Sequence, residues 1–160
     1  MAITDRKPTG LLRALLRAPI WLYRMRLGRL AGRRLTYIAH LGRRTGARRE
    51  VVVETVRFDP ATPEIVVVAA WGPGPDWYRN LLAAPAIEVR VGGQRWPRPR
   101  HRLLDADETQ RTLLAYQRNH PHAWKRLGPL LGFPTDSADP HWPDVAASVH
   151  AIAFRPSRDG

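Results

Sequence analysis

The feature that most constrains this chain is a pair of β-forming runs held apart by a turn bounded by glycines. Leu35-Thr36-Tyr37-Ile38-Ala39-His40-Leu41 is rich in β-branched and aromatic residues, and Val51-Val52-Val53-Glu54-Thr55-Val56 follows it after a loop from Gly42 to Ala47. A third run, Glu64-Ile65-Val66-Val67-Val68-Ala69-Ala70, lies beyond a turn through Asp59-Pro60 and Thr62-Pro63. Its apolar residues are continuous, which predicts a strand buried on both faces. Connections this short favour antiparallel neighbours.

The rest of the chain fits the same frame. Trp71-Gly72-Pro73-Gly74-Pro75 breaks regular structure, and Asp76 is expected to cap a short helix from Trp77 to Ala83 that stops before Pro85. Ile87-Glu88-Val89-Arg90-Val91 alternates as a half-exposed strand does, and Gly92-Gly93 signals a hairpin. A return strand is expected from Gln94 to about Leu104, with Pro97 and Pro99 marking an edge. Asp105 to Asn119 reads as a helix capped by Asp105, with Glu108 completing a capping box. His120-Pro121 breaks it, and a second helix reaches about Leu131. Gly132 to Asp144 reads as proline-rich loop and Ser148 to Phe154 as a last strand. No run of βαβ units appears. The expected class is α+β: a mostly antiparallel barrel with helices packed around it.

Residues 9–31 read as a helix interrupted at Pro19, with Leu11, Leu12, Leu15 and Leu16 on one face and Arg13 and Arg17 on another. This divides the chain into a basic amphipathic segment, 1–34, and a single barrel domain, 35–160. Such a helix packs on its own core or lies on an anionic membrane. No export signal or spanning segment is legible, so a cytoplasmic protein is expected, with the inner membrane face within reach of the N-terminal helix.

The 160 residues carry a formal net charge of +12 and no cysteine. Thiol nucleophiles and thiolate metal sites are excluded. A charge of this sign suits nucleic acid, an anionic membrane or an anionic small ligand, and arginine-rich coding alone also raises it. The turn Gly42-Arg43-Arg44-Thr45-Gly46-Ala47-Arg48-Arg49 concentrates four of the arginines. Its glycines let several backbone N–H groups point one way, Thr45 adds a hydroxyl, and guanidinium groups bind phosphate or carboxylate in bidentate fashion. It lacks the Gly-Lys-Ser/Thr of a Walker loop. We expect it to hold an anionic, phosphate-bearing small molecule.

A second constellation is the strand end Ala69-Ala70-Trp71-Gly72, leading into Asp76-Trp77-Tyr78-Arg79-Asn80-Leu81. Small residues at a strand end let a flat ring approach the backbone, and a helix start offers N–H groups to an anion or carbonyl. His120-Pro121-His122, with Trp124 nearby, could move a proton but has no acidic neighbour to complete a metal site. His40 ends a strand beside the arginine turn and reads as a hydrogen-bonded core histidine. Gly-x-Ser-x-Gly, His-Glu-x-x-His and paired catalytic carboxylates are missing, so a bound cofactor would carry any reaction.

Taken in order, the arginine turn, the Val-rich strand, the strand ending in a Gly-containing loop, Asp76-Trp77-Tyr78-Arg79-Asn80-Leu81 and Ala84-Pro85 resemble the deazaflavin-dependent nitroreductase family, which includes the F420H2-dependent quinone reductases. The resemblance runs from about Pro19 to about Phe133. It implies an actinobacterial type of split β-barrel related to FMN-binding proteins. It also implies that Arg43, Arg44, Thr45 and Arg49 hold the phosphate and glutamyl tail of coenzyme F420. Ala69, Ala70 and Trp71 would lie along the deazaflavin ring, and Trp77 and Asn80 would close the pocket. The implied reaction passes a hydride from reduced deazaflavin to a quinone, nitroaromatic or activated alkene. Tyr78, Tyr116, His120 or solvent would then protonate the product. The loop before Trp77 is shorter than in quinone- and nitro-reducing members, and His120, His122 and Trp124 replace their tyrosines, so the acceptor pocket is this chain's own. FMN or haem on the same fold is the alternative ligand, and a non-catalytic basic module for membrane or nucleic acid the alternative function. The family contains both monomers and homodimers.

Overall fold

The computed structural model describes residues 32–69 and 74–158. The N-terminal helix expected over 9–31, Ala70 and Trp71 lie outside the described residues. The elements in chain order are β1 (Leu35–Leu41), β2 (Arg48–Asp59), β3 (Glu64–Ala69), α1 (Asp76–Ala83), β4 (Glu88–Val91), β5 (Gln94–Pro97), β6 (Arg100–Leu103), α2 (Ala106–Asn119), α3 (Pro121–Leu130), α4 (Trp142–Ser148) and β7 (His150–Arg155).

The strands form one antiparallel sheet of seven in the order β5-β4-β1-β2-β3-β7-β6. β2 is the hinge of this sheet. Its first half, Arg48 to Glu54, pairs with β1, and its second half, from Thr55, pairs with β3. Between them the register shifts, with Val56 the extra residue between Thr55 and Arg57. A bulge of this kind bends and twists a strand, and here it turns one half-sheet over the other.

The sequence order of β5 and β6 shows how far the sheet curls. They are its two edges, yet only Arg98 and Pro99 separate them. Three Cα steps reach at most about 11 Å, whereas a flat sheet of seven strands would hold its edges about 29 Å apart. The sheet must therefore roll into a barrel, split where β5 and β6 meet without pairing. Arg98 takes the corner with φ 44°, a left-handed conformation rare outside glycine, and its N–H donates to the Ile87 carbonyl at 2.8 Å. The single return strand expected from Gln94 to Leu104 is thus two strands at opposite edges.

Alternation along β3 builds two cores. Ile65, Val67 and Ala69 point into the barrel with Ile38, Val89, Ile152 and Phe154, and α1 plugs this interior with Trp77, Tyr78 and Leu81. Val66 and Val68 point outward, with Ala151 and Ala153 of β7, against Leu113, Trp124, Leu127 and Trp142 of the other helices. This is why the third run is apolar throughout.

Two further local readings are corrected. Asp76 is the first residue of α1 and does not cap it; Pro75 stands at the cap position and no side chain caps that end. α4 falls where loop and strand were expected, because fully buried Trp142 anchors a helix that Pro143 can begin. Asp105 does cap α2, its Oδ1 accepting the Glu108 N–H at 2.8 Å. Among the described residues no helix is long and apolar enough to cross a membrane.

Candidate functional site

The β1–β2 turn is held in a defined shape. The Gly42 N–H donates to the Ala47 carbonyl at 2.8 Å and the Gly46 N–H to the Gly42 carbonyl at 2.7 Å. Gly46 sits at φ 67°, where a side chain would be strained. A Cβ on Gly42 would stand 3.0 Å from both Arg49 Nε and Thr45 Oγ1, so glycine here lets those two side chains close over the turn. Thr45 Oγ1 accepts the Ala47 N–H at 3.3 Å, leaving its own proton to donate.

α1 lies against this turn through one asparagine. The Arg43 backbone N–H and Arg43 Nη1 both donate to Asn80 Oδ1, at 3.1 and 2.9 Å. Arg43 Nη2 reaches Asp76 Oδ1 at 3.1 Å. Asn80 Nδ2 meets His40 Nδ1 at 3.2 Å. Asp76, Arg43, Asn80 and His40 therefore form one connected line from the surface to the buried end of β1. Burial lowers the His40 pKa; the Leu41 backbone opposes this and the Arg49 charge adds to it.

Turn and helix enclose an open cavity of about 380 Å³ lined by His40, Gly42, Arg43, Arg44, Thr45, Arg49, Glu50, Val51, Asp76, Trp77 and Asn80. The side chains of Arg44 and Arg49 are exposed and make no hydrogen bond or ion pair to another described residue. Arg48 turns to the opposite face of β2, where Nη2 donates to the Tyr37 hydroxyl at 3.3 Å. The Tyr37 hydroxyl in turn donates to Glu50 Oε1 at 2.6 Å. The uncapped N-terminus of α1 adds its partial positive charge to the same cavity.

The structure thus brings Arg43, Arg44, Thr45, Arg49, Trp77 and Asn80 together. Ala69 is sealed in the barrel core and does not reach the cavity. The expected proton donors are scattered. Tyr78 is buried in the barrel, its ring stacked on His150 at 4.6 Å, and burial raises its pKa. Tyr116 donates to Glu54 in the outer core, and burial, with that hydrogen bond, holds its phenol well above the usual range. His120 is exposed and packs on Tyr116, ring centroids 5.0 Å apart. Neither Tyr116 nor His120 lines the cavity. Sequence reasoning passed over His40, Glu50 and Asp76 as lining residues. The signal for His40 was its place opposite Arg49 once the two strands pair.

A cavity with this donor set suits a planar group carrying a phosphate: guanidinium groups, a hydroxyl and a helix start for the anion, and the Trp77 ring for the flat part. Among the described residues no cluster of three or more His, Asp or Glu could hold a metal ion. The family of the chain is now shown: it belongs to the F420H(2)-dependent quinone reductase family, whose model matches residues 15–126. It is accordingly a deazaflavin-dependent reductase that uses coenzyme F420. No curated protein matches the chain.

Solved structures share the fold at low identity. One described as an F420-H2 dependent reductase, FDR-A, is 17% identical with a TM-score of 0.52, over 78% of this chain and 96% of that one. A second, described as a domain-swapped dimer, is 16% identical with a TM-score of 0.50, over 86% of this chain and 100% of that one. A third, a protein of unknown function from Agrobacterium tumefaciens, is 17% identical with a TM-score of 0.51, over 97% of this chain and 59% of that one.

Proposed function

We propose that this chain reduces an electron-poor small molecule — a quinone, a nitroaromatic or an activated alkene — with F420H2 as hydride donor. The observation that carries this reading is the convergence of the arginine turn and the Trp77–Asn80 helix on one cavity with cationic capacity to spare. When bound, reduced F420 supplies the hydride. Arg44, Arg49 and Thr45 hold the anionic part of the cofactor. Arg43 acts as a brace: its backbone N–H, Nη1 and Nη2 donate to Asn80 and Asp76, so it fixes the turn to α1. Trp77 forms a wall against which a flat ring packs and sheds water. With Tyr116 and His120 away from the cavity, we assign protonation of the product to solvent entering from its open side.

Titration with F420, followed by its fluorescence, tests the reading. We expect a dissociation constant well under 50 μM; a value of ~1 μM corresponds to ~8 kcal/mol. No binding at ~50 μM would remove the cofactor assignment. Oxidation of F420H2 in the presence of each of the three acceptor classes then ranks them.

A further inference from the structure

The turn between β1 and β2 is shaped from within but aimed from outside. Its internal bonds, from Gly42 N–H to the Ala47 carbonyl, Gly46 N–H to the Gly42 carbonyl and Ala47 N–H to Thr45 Oγ1, fix its form. They do not fix the direction in which it leans from the sheet. Among the described residues, every hydrogen bond from residues 42–47 to another element runs through Arg43. One of these goes to Asp76, whose side chain is 83% exposed, and an ion pair so placed is worth little. The other two converge on Asn80 Oδ1, from the Arg43 backbone N–H at 3.1 Å and Nη1 at 2.9 Å. Asn80 is only 2% exposed. The buried anchor of the turn is therefore this asparagine.

Its place in α1 supports the same reading. Asparagine is a weak helix former, and a buried amide is costly unless its hydrogen bonds are made. The other buried residues of α1 are Trp77, Tyr78 and Leu81, which fill the barrel. Asn80 instead joins two elements. Its Oδ1 takes the donors of the turn, and its Nδ2 meets His40 Nδ1 on β1 at 3.2 Å.

We propose that Asn80 is a positioning residue: it sets the lean of the turn before a ligand arrives, so that Arg44, Thr45 and Arg49 converge on the anion, and it acts through Arg43 instead of through a ligand contact of its own. The proposal rests on the cofactor reading above. Donors held ready in this way lower the ordering cost of binding.

Amide hydrogen exchange in the ligand-free protein reads the anchor directly. In Asn80→Ala the Arg43 N–H should exchange at least about tenfold faster than in wild type, while the Val66 and Val67 amides of β3 keep their rates. Asn80→Asp keeps an acceptor for both Arg43 donors and should restore the protection of that N–H. An unchanged Arg43 rate in Asn80→Ala, an equal acceleration in β3, or lost protection in Asn80→Asp would each overturn the proposal.

Fluorescence titration with F420 then separates positioning from contact. Arg43→Ala should weaken binding about fivefold and Asn80→Ala about tenfold, and the double variant should lose no more than Asn80→Ala alone, because the first change has already undone what the second removes. A loss near fiftyfold in the double variant, the product of about fivefold and about tenfold, would mean that Asn80 holds the ligand independently and would overturn the proposal. Failure of the wild type to bind F420 would instead count against the cofactor reading, and the exchange rates would still decide whether Asn80 aims the turn.

Discussion

β2 carries arginine at both of its ends, and the company these arginines keep differs. At the C-terminal end, Arg57 joins Arg102 and Arg155 around Glu64, a carboxylate only 5% exposed. Arg57 and Arg155 reach it at 2.7 and 2.6 Å, and Arg102 also grips Glu108 with two bonds of 2.8 Å. At the N-terminal end, Arg44 and Arg49 face a cavity with no carboxylate bound to either among the described residues. The two clusters add the same kind of charge to the total. One spends it inside the fold, while the other keeps it for a guest. Net charge therefore says little about ligand binding until the partners of each guanidinium are known.

Substitutions can break this contrast. The largest effect on stability is expected from Glu64→Gln, which leaves three guanidinium groups around an uncharged amide. Its partners are partly exposed, so the cost should be about 3 kcal/mol, read as a lower urea midpoint. F420 affinity should hardly change. Arg44→Ala combined with Arg49→Ala should do the opposite: about a hundredfold loss of affinity, at about tenfold for each charge-assisted contact, with stability within about 0.5 kcal/mol of wild type. If the double variant melts early or binds normally, the division between the two ends of β2 is wrong.

Acid should loosen the C-terminal cluster. Burial pushes the Glu64 carboxyl up, but hydrogen bonds from Arg155, Arg57 and Arg102 outweigh it and leave it lowered. Hydrogen bonding to Arg102 is the main cause that brings Glu108 down from 4.5 to about 2. For carboxyls lowered in the folded state, the stabilisation is complete above their unfolded value and disappears as pH falls through the folded one. Melting temperature should therefore drop between about pH 4.5 and 2, and the drop should be shallower in Glu64→Gln. A smaller effect sets the scale: Asp105→Ala removes the α2 cap and should cost about 1 kcal/mol without touching F420 binding. The smallest is Gly42→Ala, whose methyl group presses on Arg49 and Thr45 and should weaken F420 binding a few-fold while leaving the melt unchanged.

Much of the architecture could be read from local chemistry. β1 has the bounds its β-forming run suggested, and Asp105 caps α2 through the Glu108 N–H, although the Glu108 carboxylate goes to Arg102 and Arg57 instead of closing a capping box. The failures have physical causes. The strand after Gln94 could not be seen to divide, because the division depends on Arg98 adopting a conformation that its residue type disfavours. α4 was hidden by Pro143 and polar neighbours, and only tertiary burial of Trp142 explains it. At the site, spacing gathered Arg43, Arg44, Thr45, Arg49, Trp77 and Asn80. It could not show that Arg43 also braces α1 through Asn80, or that Tyr116 lies in the outer core with His120 packed on it, since both facts depend on which face of the sheet each element covers.

The two-residue link at Arg98 and Pro99 has a consequence for how this molecule meets its own copies. β5 and β6 are brought close but do not pair, so among the described residues the roll leaves two unpaired backbone rims. A bare rim invites a strand from another chain. Here the strands are four residues each and mostly exposed, and they carry Arg95, Pro97, Arg100 and Arg102. Proline withholds the hydrogen-bond donor an intruding strand needs, and the bulky arginine side chains, held on Glu88, Glu64 and Glu108, crowd the approach. The same ion pairs that tie these edges to the fold thus also work as insulation along the open side of the roll.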